Sequence, residues 1–165
     1  MAFWIGLAIF ILTSIVAERL LPPQYKKCMP ILVMVVLTFF GLFRSEIGTD
    51  YDWYIVLFDT VKIDDLYPEP TFLLLVEFLR QFHFSYQVMF IAYELPIMLI
   101  LWSAIKYYIK DTEIQILTVA LFYCLEYFFS LNGIRQGLSM VLIFWGYRYC
   151  LERSLWKYLL VVALA

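Results

Sequence analysis

Long apolar runs separated by short charged segments dominate this sequence. Five of these runs lie at residues 2–17, 28–43, 86–105, 114–131 and 137–151. A helix that crosses a bilayer needs about 20 predominantly apolar residues, so each run predicts a spanning helix, the shorter ones with flanking residues included. A last run, residues 158–165, has only eight residues, and we expect the protein to continue beyond it. The pattern predicts an all-α, multi-pass transmembrane bundle that forms one integral membrane domain over residues 1–165.

One helical stretch does not fit a crossing. Residues 71–84 would form a helix about 21 Å long at 1.5 Å per residue, whereas the hydrocarbon core is about 30 Å thick. The stretch also carries Glu77, Arg80 and His83. We therefore predict a short non-spanning helix, re-entrant or interfacial, which together with the loop before it forms an external insertion over residues 44–84.

The distribution of basic residues predicts the orientation. Eight of the twelve cations fall in three loops, at residues 18–27, 106–113 and 148–157. Cytoplasmic loops carry the excess of Lys and Arg, so these loops are predicted to face inside. The N-terminus and residues 44–70 then face outside. This external segment holds seven acids and two bases, a net charge of −5.

Composition narrows the class of protein. The chain is 64% hydrophobic and 16% charged, whereas soluble domains are about 45–50% apolar and about 25% charged. This argues against a soluble enzyme and for a chain surrounded by membrane lipid. The net charge of −2 provides no basic field for nucleic acid. One histidine and three scattered cysteines do not make an all-His/Cys metal site, and we expect no metal and no cofactor.

Three arginines at the predicted outer face are candidates for anion binding. An arginine near the membrane is costly unless it is paired or hydrated, and its planar fork suits phosphate or carboxylate. Arg44 could instead snorkel or pair with Glu46, and Arg80 could pair with Glu77 one turn away. Arg135 has the strongest functional interpretation, because Asn132, Gln136 and Ser139 surround it at helical spacing.

Two acidic motifs lie in the external segment. Gly48, Thr49 and Asp50 precede Tyr51 and Tyr54, which predicts a capped, amphipathic helix start and equally suits sugar binding by aromatic rings and carboxylates. Proline restricts the preceding residue to extended conformations, so Pro70 is expected to hold Glu69 rigidly, either as a helix-start acid or as a carboxylate that faces substrate.

Two further acids, Glu94 and Glu126, lie within predicted spans. Burial in the bundle, protonated or paired with a cation, and a functional role both remain open for them.

In combination, these residues resemble the EpsG family, multi-pass membrane proteins of bacterial exopolysaccharide and capsule operons that are similar to Wzy-type polysaccharide polymerases. The resemblance covers nearly the whole chain, and one departure is Leu138–Ser139 where the family usually has alanine. The residues that carry the resemblance are Arg44, Gly48, Thr49, Asp50, Tyr51, Tyr54, Glu69, Pro70, Asn132, Arg135 and Gln136.

The resemblance implies a metal-independent glycosyltransferase in the bacterial plasma membrane. It would join undecaprenyl-pyrophosphate-linked oligosaccharide units at the outer face, in contact with membrane lipid and with other polysaccharide-assembly proteins. Its implied catalytic residues are Asp50, Glu69 and Arg135. Its implied substrate-binding residues are Arg44, Thr49, Tyr51, Tyr54, Asn132 and Gln136. The alternative is a non-catalytic component or flippase of the same pathway.

Overall fold

A computed structural model describes residues 2–62 and 69–165 of the chain. Within these two segments the regular structure is helical, and no strand occurs, which confirms the predicted all-α class. A π-helical turn, Tyr123–Tyr127, joins two of the helices. The α-helices in chain order are α1 (Ala2–Leu20), α2 (Pro23–Lys26), α3 (Cys28–Leu42), α4 (Tyr51–Thr60), α5 (Pro70–Gln81), α6 (Tyr86–Tyr108), α7 (Thr112–Phe122), α8 (Phe128–Asn132), α9 (Ile134–Leu151) and α10 (Leu155–Leu164).

Three helical segments of the described chain are long and apolar enough to cross a membrane. They are Pro23–Leu42, Tyr86–Tyr108 and Thr112–Asn132, and they correspond to the second, third and fourth predicted spans. The protein is therefore a membrane protein. The first and fifth runs are also helical, as α1 and α9, but polar residues at both ends of α9 lower its hydropathy. Their crossing of the membrane remains a prediction.

Five of the helices share one apolar core. It is built from α1, α3, the C-terminal half of α6, α7 and α9, and Leu37, Ile97 and Val119 at its centre are fully buried. Tyr127 of the π-helical turn is also fully buried, and its hydroxyl donates to the Leu37 carbonyl at 2.7 Å. This bond fixes the π-helical turn against α3 near the end of the bundle that carries α4 and α5.

The predicted short helix is confirmed as α5, which at 12 residues is about 18 Å long. Its buried positions, Phe72, Leu73, Val76 and Leu79, follow helical spacing and give it one apolar face. That face packs with α4 against the N-terminal half of α6, in a second core separate from the first. Helices α4 and α5 thus form a layer at one end of the bundle.

The two ends of α4 differ in their polar contacts. Asp50 occupies the N-cap position, but its side chain accepts no capping hydrogen bond from any described residue, so the predicted cap is wrong. At the other end Arg80 donates to the carbonyls of Phe58 (2.5 Å) and Val61 (2.6 Å), and it also forms the predicted ion pair with Glu77, at 3.9 Å. Arg80 therefore satisfies the exposed carbonyls at the end of α4.

The three loops that were predicted to be cytoplasmic meet at one end of the bundle. Arg19 Nε donates to Glu113 at 2.8 Å, and the Thr112 hydroxyl donates to Glu18 at 3.1 Å. The Tyr107 hydroxyl donates to Glu152 at 2.9 Å. The layer of α4 and α5 lies at the opposite end, as the predicted orientation requires; which end faces the cytoplasm remains a prediction.

Candidate functional site

A polar cavity of about 340 Å³ lies between α4, the residue before α5 and the first turn of α9. It collects five of the nine residues that were predicted to act on substrate, namely Asp50, Tyr54, Glu69, Arg135 and Gln136. The chain brings these residues together from three segments that are far apart in sequence. Trp53 and Gly133 complete the described lining.

A one-residue break between α8 and α9 places Arg135. Asn132 ends α8, Ile134 begins α9, and only Gly133, with φ −93° and ψ 68°, separates them. The sequence suggested a longer polar interruption over residues 132–136. Arg135 and Gln136 instead belong to the first turn of α9, so a helix rather than a loop fixes the direction of their side chains.

Arg135 forms an ion pair with Glu69 across the cavity. Its guanidinium carbon also lies 5.3 Å from the centre of the Phe72 ring, within the range of a cation–π contact. Glu69 has ψ 148°, the extended conformation that Pro70 was predicted to impose; Pro68 lies outside the described residues. The acid that pairs with Arg135 is thus Glu69, the residue directly before α5.

A second, mainly apolar groove lies next to the polar cavity. It has a volume of about 360 Å³ and shares Glu69, Arg135 and Gln136 with that cavity. Its apolar lining includes Leu138, Met140 and Ile143 of α9 and Tyr93 of α6. The Arg135–Glu69 pair thus marks the boundary between a polar space and an apolar one.

The wall formed by α4 combines rings with a carboxylate. Trp53 is 55% exposed, whereas Tyr54 beside it is 5% exposed and packs near Phe72 and Phe90. Asp50 accepts a hydrogen bond from the Thr49 hydroxyl at 3.2 Å. Trp53 was missed by the sequence analysis, although its position three residues after Asp50 places both on one helix face.

Thr49 and Asn132 join the α3–α4 loop to the α8–α9 break. The Thr49 backbone N–H donates to Asn132 Oδ1 at 2.7 Å. Both residues line a neighbouring cavity of about 430 Å³ rather than the one that contains Arg135. Their observed contact is with each other.

Arg44 and Tyr51 lie behind the cavity, outside its described lining. Arg44 is 2% exposed, donates to the Leu131 carbonyl and lies 4.2 Å from the Phe90 ring centre. It neither snorkels nor pairs with Glu46, so both of those interpretations are wrong. Burial lowers the pKa of the Arg44 guanidinium, and the charge of Glu94 opposes this change.

Tyr51 belongs to the packed layer rather than to a binding surface. Its ring stacks on Phe90 with 5.2 Å between the ring centres, and Tyr86 meets it edge-on. Desolvation raises the pKa of the Tyr51 hydroxyl, and its hydrogen bond with Tyr86 acts in the same direction. The hydroxyl is therefore neutral at physiological pH.

Across the two described segments, no group of three or more His, Cys, Asp or Glu side chains could hold a metal ion. The positive group that faces the cavity is the guanidinium of Arg135. The arrangement can therefore attract an anion, position a hydroxyl beside a carboxylate, and hold an apolar chain next to both.

Of the comparisons with known proteins, the one with protein families gives a match. Searches of curated proteins and of solved structures give no match. The sequence model of the EpsG family matches residues 26–165, which is most of the chain and includes every residue of the cavity. This protein is thus a member of the EpsG family, membrane proteins related to exopolysaccharide.

Proposed function

We propose that this protein polymerises lipid-linked oligosaccharide units at the outer face of the bacterial plasma membrane. The observation that carries the proposal is the pair of neighbouring cavities, one polar and one mainly apolar, that share Glu69, Arg135 and Gln136. A lipid-linked sugar pyrophosphate has the matching order of parts, with a glycan at one end, an anion in the middle and an apolar chain at the other end.

Arg135 binds the pyrophosphate in this proposal. A guanidinium offers a planar set of donors that suits phosphate oxygens. It stabilises the negative charge that grows on the leaving group in the transition state, where preorganised charge has its largest effect. The glycan then lies in the polar cavity and the isoprenoid chain follows the apolar groove along α9.

The reaction is a glycosyl transfer. An acceptor hydroxyl oxygen attacks the anomeric carbon of the donor glycan, and the bond from that carbon to the pyrophosphate oxygen breaks. The bonding electrons leave with the pyrophosphate, and the hydroxyl proton passes to a carboxylate that acts as general base. Asp50 and Glu69 both line the cavity, and either can fill this role.

Each of the other predicted site residues is proposed either to contact the sugar or to support the residues that do. Tyr54 and Gln136, with Trp53, line the cavity and are proposed to contact sugar, because rings cover apolar sugar faces and the amide bonds hydroxyls. The elements that carry these cavity residues are held in place by Thr49, Tyr51, Asn132 and Arg44. The membrane location, the metal-independent chemistry and the cooperation with other assembly proteins belong to the same proposal.

The test uses purified protein in detergent with a lipid-linked oligosaccharide, and it measures the length of the product glycan. Conversion of monomeric units to longer chains is expected, and a protein that only moves lipid-linked glycans between leaflets would produce none. Asp50→Asn and Glu69→Gln should each shorten or abolish the product. Asp52→Asn removes an exposed acid of α4 that is not in the described lining and should leave product length unchanged.

A further inference from the structure

Two opposite charges are buried side by side where the bundle meets the layer of α4 and α5. Arg44 is 2% exposed and Glu94 of α6 is 1% exposed. Within the described part of the chain, neither oxygen of Glu94 has a hydrogen-bond partner, and Nε and Nη2 of Arg44 have none. The Arg44 guanidinium lies over the ring of Phe90, one helical turn before Glu94 on α6, so the two groups are neighbours without a direct ion pair. A lone buried charge is strongly destabilising, so each depends on the other.

A glycine of α3 makes room for the carboxylate. A Cβ built on Gly41 would lie 2.5 Å from Glu94 Oε1 and 2.7 Å from its carboxyl carbon. Real Cβ atoms do not approach another atom that closely, so the carboxylate occupies space that any other residue would fill. Glu94 is therefore held between α6 and the backbone of α3 at Gly41, three residues before Arg44.

The guanidinium reaches in the opposite direction, to the break that places Arg135. Arg44 Nη1 donates to the carbonyl of Leu131 in the last turn of α8, a carbonyl that the end of the helix leaves without a helical partner. One residue further on, Asn132 accepts the backbone N–H of Thr49 at 2.7 Å. These two contacts fasten the loop after α3 to the residues directly before Gly133.

We propose that Arg44 and Glu94 form a buried positioning pair: the carboxylate keeps the guanidinium inside, and the guanidinium fixes the α8–α9 break from which Arg135 enters the cavity. Glu94 thereby acquires a role through charge alone, without touching the break. Arg44 is a positioning residue rather than a ligand of the pyrophosphate. The consequence for catalysis rests on the function proposed above, whereas the contact itself does not.

A disulfide assay measures how firmly the loop is seated, independently of any activity. Thr49 Oγ1 lies 3.4 Å from Asn132 Oδ1, so cysteines at these two positions come close only when the loop is seated, and their rate of disulfide formation reports the seating. Cys28, Cys124 and Cys150 are replaced by serine in the parent, and the rate of disulfide formation is measured in membranes without substrate. Glu94→Gln should slow the reaction by about tenfold, because an uncompensated buried charge is strongly destabilising and Arg44 will turn outward.

Two variants separate charge from packing. Glu94→Asp keeps the charge and should restore a rate near that of the parent. Glu126→Gln is the matched control, since it removes another acid of the spanning segments and should not change the rate. A parental rate in Glu94→Gln, or equal slowing in Glu126→Gln, would overturn the pair.

A double variant tests whether the two residues act through one contact. Arg44→Gln combined with Glu94→Gln should be no slower than the slower single variant, because coupled residues are not additive; multiplied effects would contradict the proposal. If Glu94→Gln does not accumulate, Gly41→Ala displaces the carboxylate without changing charge and should slow the reaction too. An unchanged rate in Gly41→Ala would then overturn the pair.

Polymer assays on the same variants keep the two proposals apart. Slow disulfide formation together with shortened polymer supports both. Slow disulfide formation with polymer of full length retains the positioning pair and shows that the position of the α8–α9 break does not limit polymerisation. A parental disulfide rate rejects the pair whatever the polymer length.

Discussion

Gly48 is the point at which the α3–α4 loop approaches the α8–α9 break most closely. Its φ of 105° is rarely adopted by residues with a side chain, and a Cβ there would lie 2.7 Å from Asn132 Oδ1. We expect Gly48→Ala to lower stability by about 1–3 kcal/mol through backbone strain, with a further loss from the contact. Thermal unfolding in detergent measures this change.

Gly6 provides the matched control for that substitution. It lies within α1, and no described atom lies within 4 Å of a Cβ built there. Gly6→Ala should therefore leave the unfolding temperature unchanged or raise it, since alanine favours a helix over glycine by about 1 kcal/mol. A Gly48→Ala protein as stable as the Gly6→Ala protein would show that the close approach does not exist.

Arg135 is the residue whose replacement should cost the most activity. Arg135→Lys keeps the charge but loses the planar fork, so little activity should remain. Arg135→Ala should lose nearly all activity, because the charge of the leaving group is no longer matched. Polymer length on gels, together with membrane abundance, provides the measurement. Full-length polymer from a folded, abundant Arg135→Ala protein would remove the pyrophosphate assignment.

Helices α4 and α5 depend on each other through Arg80. Replacing it by methionine leaves the carbonyls of Phe58 and Val61 without their donor, and hydrogen bonds to a charged group contribute about 1.5–3 kcal/mol. Arg80→Met should therefore speed hydrogen exchange in a peptide that covers the end of α4. Glu77→Gln removes only a half-exposed ion pair at 3.9 Å and should leave exchange unchanged. Equal rates in both variants would contradict the capping role.

Elements set by local patterns were predictable from the sequence, and the contacts between them were not. Helix α5 could be predicted because its length and its charged residues are local properties of the sequence. It begins one residue before its predicted start and ends three residues before its predicted end. The burial of Arg44 depends on a carbonyl 87 residues away and on Glu94, and no local signal reveals either. Arg135 was predicted as a site residue from its local surroundings, yet its partner Glu69 could be identified only once the chain was folded.

The whole molecule has two chemically different ends, and this supports a prediction about sidedness. A cysteine at Lys26, the last residue of α2 and 3.9 Å from Glu18, should react with an impermeant maleimide only after cells are opened. A cysteine at Asp52, exposed on α4, should react in intact cells. Asp64 belongs to the same predicted external segment but lies outside the described residues. The reverse labelling pattern would place the cavity on the cytoplasmic side.

The ion pair between Arg135 and Glu69 makes an incoming anion a competitor of the protein's own carboxylate. Such competition is reciprocal. An anion that binds Arg135 weakens the interaction of Glu69 with Arg135 by the same free energy by which Glu69 weakens the binding of the anion. Under the proposed function, Glu69 neutralises the guanidinium before the donor binds, and binding of the donor releases the carboxylate. Under the proposed function, a base at Glu69 would become available only after the donor has bound. The enzyme would then bind its two substrates in a fixed order, with the donor first.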